Sequence, residues 1–282
     1  MHKTGFLGKV GSYFALAVIA VYVLIPIWGM ARLAFDGSLL GRPTEFRLLP
    51  KTWSFEPVVR VLDKPYQSVN FFLLLKNSLY VSAGAALIAV ALGISLAYAF
   101  ARFRFPGRGM GLFVLLLTAL LPPIAFTTPL YIVLSILKLR ATLIGLTVVY
   151  AAFAMPFCIW NMRAAFQAIP KEIEEAAFLD GASDFRTLWM ITMPLALPSI
   201  AIAGLIAFLM AYSEFTIGWL FVDRANTVTM AMAIYSIITT GNAQPWNILG
   251  SFTLIMSAPV VIVFLIFQRT LLERLSFGEA KV

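Results

Sequence analysis

The amino-acid sequence predicts an all-α, polytopic membrane protein with six transmembrane helices. Hydrophobic residues make up 61% of the chain and charged residues only 12%, whereas a soluble protein carries roughly a quarter charged residues. One soluble core cannot bury so much apolar surface, which indicates a lipid environment. The apolar residues also form six runs that are long enough to cross a bilayer: 12–33, 77–100, 111–137, 143–165, 196–221 and 247–267.

These runs divide the chain into four parts. Residues 1–35 hold an N-terminal segment and a first helix that is too long for the core of a signal peptide, so we expect it to stay uncleaved. Residues 36–72, which are rich in charge and proline, form an extracytoplasmic loop. Residues 73–270 form a core of five helices, and 271–282 form a cytoplasmic tail. Six spans place both termini on the same side of the membrane.

A basic cluster indicates that this side is the cytoplasm. Arg102, Arg104 and Arg108 lie between two apolar runs, in a connection that contains no acidic residue. Such clusters face lipid head groups on the cytoplasmic side of a membrane. The net charge of +8 therefore indicates a lipid bilayer as the partner, and not nucleic acid.

Proline interrupts two of the predicted spans. Pro122 and Pro123 lie near the middle of the third run, and Pro259 lies within the sixth. Proline removes a helical hydrogen bond, and the broken backbone is tolerated at membrane depth only where protein or a water-filled cavity covers it. We therefore expect these three prolines to act as hinges or kinks. Kinked helices are typical of a transport path, although they also occur in membrane proteins without one.

The sequence contains no catalytic or metal-binding constellation and no nucleotide site. Its only histidine is His2 and its only cysteine is Cys158, so the residues of a structural zinc site are missing. We expect Cys158 to be a small buried residue within its apolar run. The pair Gly8-Lys9 lacks the earlier glycine and the following Ser/Thr of a phosphate-binding loop. If the protein uses ATP, the ATPase must be another polypeptide.

The connection between the fourth and fifth runs, at about 166–195, predicts two short helices joined by a glycine. Pro170 suits a first helical turn, and the glutamates that follow it complement the positive end of a helix. Gly181 can adopt the left-handed conformation that ends a helix. Ser183 can cap a second helix that begins at Asp184.

The predicted second helix is limited by Pro194 and Pro198 before the fifth span. One face of the first helix combines four residues by the i, i+3, i+4 and i+7 rule: Ile173, Ala176, Ala177 and Asp180. The two alanines leave room for another protein to approach closely. Composition alone would favour an amphipathic connector at the membrane surface, because such connectors are common.

The order of residues in this connection favours a surface that another protein approaches over a simple connector. Glu175-Ala176-Ala177, with Gly181 four residues later and then Ile191 and Pro194, resembles the EAA loop of ABC importer permeases. In that family the loop docks into a cleft of an ATPase subunit and couples it to transport. The resemblance implies that six residues couple this chain to an ATPase: Glu175, Ala176, Ala177, Asp180, Gly181 and Ala182.

The resemblance covers roughly residues 70–282 and is nearest to the second permease subunit of maltose-type carbohydrate importers. Further matches are Asn77-Ser78-Leu79, Leu121-Pro122-Pro123 and Pro156-Phe157. It implies the type I importer permease fold, a di- or oligosaccharide as solute, and a place in a bacterial or archaeal cell membrane. The implied partners are a second permease subunit, two cytoplasmic ATPase subunits that hold ATP and Mg²⁺, and an extracytoplasmic solute-binding protein. No cofactor is expected on this chain itself.

Four residues of the fifth run and its end are candidates for the solute path: Tyr212, Ser213, Glu214 and Trp219. A carboxylate at the centre of a span costs about 2.5–3.5 kcal/mol, so Glu214 should face the protein interior or water. It lines a solute path, pairs with the second permease subunit, or is a satisfied structural acid at a helix contact. Aromatic residues at this density usually pack against neighbours or lipid. Many sugar permeases carry Trp-Asn where this chain has Ser213-Glu214.

Two other classes of protein remain as alternatives. An ion-driven secondary transporter would use Glu214 as a proton site. A membrane enzyme is the third class, for which the sequence offers no catalytic residues.

Overall fold

The computed structural model describes residues 6–39, 41–45, 47–239 and 245–279, and these residues form twelve α-helices. In chain order the helices are α1 (Phe6–Ala34), α2 (Glu56–Asp63), α3 (Phe71–Arg102), α4 (Arg108–Leu120), α5 (Thr127–Ile136), α6 (Leu143–Ala168), α7 (Lys171–Leu179), α8 (Asp184–Thr187), α9 (Met193–Ser213), α10 (Thr216–Phe221), α11 (Met230–Thr239) and α12 (Trp246–Glu279). A π-helical turn, Leu188–Thr192, joins α8 to α9, and 3₁₀ turns occur at Pro123–Phe126 and Ala225–Thr227.

The lengths of these helices confirm the predicted all-α membrane protein. Five helical stretches of the described chain are long and apolar enough to cross a bilayer: Gly8–Ala34, Phe71–Arg102, Leu143–Ala168, Asp184–Ser213 and Trp246–Gln268. A sixth crossing is made if α4 and the helical stretch Pro123–Ile136 count as one broken span.

The two halves of this broken span meet at an angle of 104°, at the position of Pro122 and Pro123. Leu121 and Pro122 have extended backbone, with ψ of 136° and 130°. The proline rings supply no N–H for a helical bond, so α4 ends and a 3₁₀ turn begins at Pro123. Pro259 behaves differently, because α12 continues on both sides of it.

The fifth span, Asp184–Ser213, both begins and ends earlier than the predicted run 196–221. It begins earlier, because the helix that starts at Asp184 continues into α9. The expectation that Pro194 and Pro198 limit the preceding helix is therefore wrong. The π turn just before Pro194 widens the helix, with the N–H of Met193 donating to the carbonyl of Leu188, and this relieves the clash that a proline ring causes in a regular helix.

The described chain divides into two compact units. One contains the residues up to Phe71 together with Ile234–Ala258, and the other contains Phe72–Ala233 together with the chain from Pro259 onwards. The division thus falls within α12, immediately before Pro259.

The core of the second unit is the contact between α6 and α9. The buried residues of these helices include Ala151 and Ala154 on α6 and Ala203 and Ala207 on α9. Small side chains allow membrane helices to approach closely. Cys158 is only 1% exposed and its Sγ lies 3.6 Å from the Ala203 carbonyl oxygen, which confirms the prediction of a small buried residue.

The start of α3 is fastened to the segment that precedes α11, also within the second unit. The side-chain amide of Asn77 donates to the carbonyls of Asn226, at 2.8 Å, and of Val228, at 2.9 Å. The neighbouring Ser78 Oγ accepts from the N–H of Met230 at 2.8 Å. Both side chains are buried, so they satisfy backbone groups that irregular chain would otherwise leave without partners.

In the first unit, Asp36 organises the loop that follows α1. Its Oδ1 accepts from the hydroxyl and the N–H of Ser38, at 2.6 and 3.1 Å, and its Oδ2 accepts from the N–H of Lys51 at 3.1 Å. Its carbonyl accepts from the amide of Asn247 at 3.1 Å. Burial tends to raise the pKa of the Asp36 carboxyl, but these hydrogen bonds and one from Thr52 outweigh burial and hold the pKa below 3.8, its ordinary value.

We predict that Asp36→Asn loosens the 47–54 segment, because an amide cannot accept at both oxygen positions, at a cost of about 1–3 kcal/mol. Since the folded-state pKa is lowered, the wild-type contribution is complete above about pH 4 and is lost as the pH falls through the folded-state pKa. Hydrogen exchange of this segment measures both effects. Asp63→Asn, at an exposed site, is the control, and unchanged exchange in Asp36→Asn would contradict the assignment.

Candidate functional site

The connection between α6 and α9 forms the predicted pair of helices, which we call the elbow (residues 170–192). Pro170 stands immediately before α7, and Gly181 has φ of +84°. The N–H of Ala182 donates to the Ala177 carbonyl and that of Gly181 to the Phe178 carbonyl, at 2.9 and 3.0 Å. These two bonds form the Schellman motif that ends a helix at a left-handed glycine.

The second half of the elbow also begins as predicted. The Ser183 hydroxyl accepts from the N–H of Arg186 at 3.4 Å and caps α8 at Asp184. The helical path then continues through the π turn into α9, so the elbow is joined to a membrane span without a break.

The elbow exposes most of the residues predicted to couple to an ATPase. Glu175, Ala176, Asp180 and Gly181 are exposed and Ala182 is half-buried, but Ala177 is only 7% exposed. The prediction that Ala177 lies on a face that another protein can approach is therefore wrong. The buried side of α7 is formed by Glu174 and Ala177, three residues apart, and the remaining residues of the motif lie on the accessible side.

A buried ion pair anchors the elbow to the end of α3. Arg102 Nε lies 2.8 Å from Glu174 Oε2, and the two side chains are 7% and 6% exposed. The N–H of Nε is not aligned as a hydrogen bond, so this contact is an ion pair. The other end of the guanidinium, Nη2, donates to the Ile169 carbonyl at 2.9 Å. One arginine thus holds both the end of α6 and the first turn of α7.

The second oxygen of Glu174 is also engaged. The hydroxyl of Thr192, in the π turn, donates to Glu174 Oε1 at 2.8 Å. Aromatic residues lie beside the cluster, where the ring of Tyr98 meets that of Phe166 edge-on at 5.8 Å and that of Phe103 at 5.7 Å. Because carboxylate and guanidinium are shielded from water, their attraction is stronger than on an exposed surface.

Glu214 does not lie at the centre of a span, as the sequence predicted, but at the end of one. It follows the last residue of α9, and its backbone is extended. Its Oε1 accepts from the N–H of Ile217 at 2.9 Å and its Oε2 from the N–H of Gly218 at 3.2 Å. Both donors belong to the first turn of α10 and have no partner within that helix. The geometry supports the reading of Glu214 as a satisfied structural acid.

The other solute-path candidates are divided between buried and accessible positions. Tyr212 is 2% exposed; its ring stacks on that of Phe208 at 5.6 Å and its hydroxyl lies 3.6 Å from the sulfur of Met230. Ser213 is exposed and donates to the Leu209 carbonyl of its own helix. Trp219 is 37% exposed. A role of these residues in the solute path stays a prediction.

A small cavity adjoins the broken span. Pro123, Tyr150 and Glu214 contribute to its walls, and its volume is about 80 Å³. Ligand pockets have roughly 300–1,000 Å³, so this space within one chain is too small for a sugar. Its walls nevertheless bring Pro123, one of the predicted hinge prolines, close to Glu214.

The sequence alone did not indicate a functional role for Glu174, Thr192 or Asn77. It placed Arg102 in a basic cluster without a partner and Glu174 among several acids at a helix start. The only available signal was that Glu174 lies three residues before Ala177, on the same side of α7. Partners so far apart along the chain cannot be paired from one sequence.

Comparisons with known proteins bear on the whole chain. Residues 89–277 match the family described as the binding-protein-dependent transport system inner membrane component. The chain is 30% identical over 268 residues to the trehalose/maltose transport system permease protein of Thermococcus litoralis, covering 94% of each chain. It is 28% identical over 275 residues to the trehalose transport system permease protein of Mycobacterium tuberculosis, covering 96% of this chain and 97% of the relative.

A solved structure shows the same fold. It is a bacterial ABC transporter involved in the import of the acidic polysaccharide alginate, and it superposes with a TM-score of 0.75 at 22% identity, covering 95% of this chain and 98% of that chain.

We predict that Arg102→Ala destabilises the protein by roughly 3–5 kcal/mol, because it leaves Glu174 buried without its counter-charge. Thermal denaturation of the purified protein in detergent measures the loss. The double replacement Arg102→Met/Glu174→Leu should be less harmful than either single removal of charge. Arg104→Ala, at an exposed position, is the control, and equal effects of Arg102→Ala and Arg104→Ala would refute the anchoring role.

We predict that Glu214→Ala lowers the free energy of unfolding by about 1 kcal/mol, as expected for the loss of a helix cap. Glu214→Gln keeps one acceptor and should lie between alanine and wild type. The control is Ser213→Ala, whose hydroxyl contacts only its own helix among the described hydrogen bonds. A Glu214→Ala variant as stable as the wild type would show that the cap contributes nothing.

Proposed function

This chain belongs to the family of binding-protein-dependent transport system inner membrane components, and from that premise we propose that it is a permease subunit of an ATP-driven carbohydrate importer. The observation that carries the coupling role is the elbow. It presents Glu175, Ala176 and Gly181 outwards, and its opposite side is anchored by the Arg102–Glu174 ion pair. A protein that docks on the outer side can therefore move the helices attached to the inner side.

The solute is proposed to be a di- or oligosaccharide of the maltose or trehalose kind. The support is the transport function named for the relatives from Thermococcus litoralis and Mycobacterium tuberculosis, which match along almost the whole chain. The transport path is proposed to form with a second permease subunit, since the cavity beside Glu214, at about 80 Å³, is much smaller than a ligand pocket.

The mechanism is alternating access driven by a separate ATPase. Two ATPase subunits bind ATP and Mg²⁺ and draw together, the elbow follows the ATPase cleft, and the attached spans turn to open the path outward. A solute-binding protein delivers the sugar on the outer side, and hydrolysis resets the transporter. No bond of the solute is broken, so no catalytic group is required of this chain. Its contribution is a set of helices that bind the partners and move.

The chain is proposed to lie in a bacterial or archaeal cell membrane with both termini and the elbow in the cytoplasm. Arg102, Arg104 and Arg108 support this orientation by the positive-inside rule. Arg102 also contacts the elbow, so the basic cluster and the coupling surface belong to the same side of the membrane.

The alternative of an ion-driven transporter depends on Glu214 as a proton site. In this structure both carboxylate oxygens accept backbone hydrogen bonds from the start of α10, which gives Glu214 a structural task as a helix cap. The alternative therefore receives no support from the geometry.

We predict that Gly181→Asp and Glu175→Ala each lower solute uptake per ATP hydrolysed by about tenfold or more, the effect of one lost interaction with a charged group. At Gly181 a side chain would also strain the left-handed backbone. The measurement is uptake of labelled maltose and trehalose by the complete transporter in liposomes, with ATP on the ATPase side and an ionophore present.

Glu172→Ala is the matched control, because Glu172 is exposed on the same helix but lies outside the motif. It should transport like the wild type. Unchanged uptake in Gly181→Asp would exclude the elbow as the coupling site, and uptake that the ionophore abolishes would favour the ion-driven alternative.

A further inference from the structure

A buried arginine lies where the first span meets the loop that follows it. Arg32, in the last turn of α1, is 8% exposed. Its Nη1 donates to the Arg47 carbonyl at 2.9 Å. Among the residues that the structure describes, no carboxylate forms an ion pair with Arg32. A buried charge without a counter-charge is costly, so an anion is expected close to the Arg32 guanidinium.

The cavity beside Arg32 is rich in positive charge. It has a volume of about 220 Å³, and its walls carry six charged residues: Arg32, Arg42, Arg47, Lys51, Asp36 and Glu45. The two acids are already occupied. Glu45 accepts from Nη2 and Nε of Arg47 at 2.6 and 3.0 Å, and the Asp36 oxygens accept from Ser38 and Lys51. Three cationic side chains in the walls of this cavity are thereby left without a salt bridge among the described residues: Arg32, Arg42 and Lys51.

An apolar groove adjoins this charged cavity. It runs along α1 beneath Leu48, with Leu24, Ile25 and Trp28 among its walls, and has a volume of about 210 Å³. Trp28 Nε1 donates to the Leu48 carbonyl at 2.7 Å and so holds the loop over the helix. A second groove of about 430 Å³ passes Gly29 and reaches Arg32. Gly29 borders both grooves, and a Cβ placed there would meet no atom within 4 Å.

We propose that this junction of α1 and its loop binds one anionic phospholipid. The phosphate would lie between Arg32, Arg42 and Lys51, which offer charge-assisted hydrogen bonds, and one acyl chain would follow the groove over Gly29. A soluble anion would satisfy the cations but not the apolar groove, whereas a lipid satisfies both. All the residues concerned belong to the first compact unit, and the proposal does not depend on the transported solute.

Native mass spectrometry of the complete transporter, purified in detergent with phosphatidylglycerol or phosphatidylcholine, tests the proposal. The wild type should retain phosphatidylglycerol in preference to phosphatidylcholine. Arg32→Gln/Arg42→Gln should reduce this retention by about tenfold or more, the effect of lost hydrogen bonds to a charged group. Gly29→Leu should reduce it as well, because the new side chain occupies the path of the acyl chain while every charge remains.

Arg60→Gln/Lys64→Gln is the matched control, since it removes two exposed positive charges from the same loop and should retain the lipid. Equal retention by Arg32→Gln/Arg42→Gln and this control would overturn the proposal. So would full retention by Gly29→Leu, or displacement of the lipid by inorganic phosphate alone, which would indicate a site for a free anion. If the double variant keeps the lipid but loses capture by the solute-binding protein, the cluster is a protein contact and the proposal is also wrong.

Discussion

Backbone polar groups at membrane depth must find partners within the protein, because the hydrocarbon region offers no water. Regular helices meet this requirement by themselves, and the described chain departs from them at few places. At two of these departures a side chain supplies the missing partner: Asn77 and Ser78 serve the segment before α11, and Glu214 serves the first turn of α10. The positions of these side chains therefore determine where the spans can be interrupted.

The elbow follows the same rule at the membrane surface. Glu174 and Arg102 are both almost fully buried, and removing two charges from water costs several kcal/mol that their mutual attraction only partly offsets. The main role of the ion pair is therefore to position the elbow, and its net contribution to stability is small. It fixes the elbow against the end of α3, while Thr192 fixes the same carboxylate to the start of the fifth span. The carboxylate of Glu174 thus connects the elbow to two spans.

The local elements were predictable from the sequence, and the distant contacts were not. Apolar runs identified the spans, and Pro170, Gly181 and Ser183 identified the elbow, because caps and glycine turns depend on neighbours along the chain. Glu214 appeared central because the apolar run continues past it, but α9 ends there and the Glu214 carboxylate caps α10. The helix passes Pro194 because a π turn compensates for the proline ring, which composition does not reveal. The predictable part of the site is its exposed motif, and the unpredictable part is its buried anchor.

The π turn between α8 and α9 affects how the fifth span is oriented relative to the elbow. Such a turn accommodates one residue more than a regular helical turn, and one residue corresponds to a rotation of about 100°. Residues Leu188–Thr192 therefore determine which way the fifth span points when the elbow is held still. Shortening this turn by one residue would leave both helices intact and yet rotate the exposed side of the elbow relative to the fifth span. The length of this turn thus sets the rotational angle between the elbow and the fifth span.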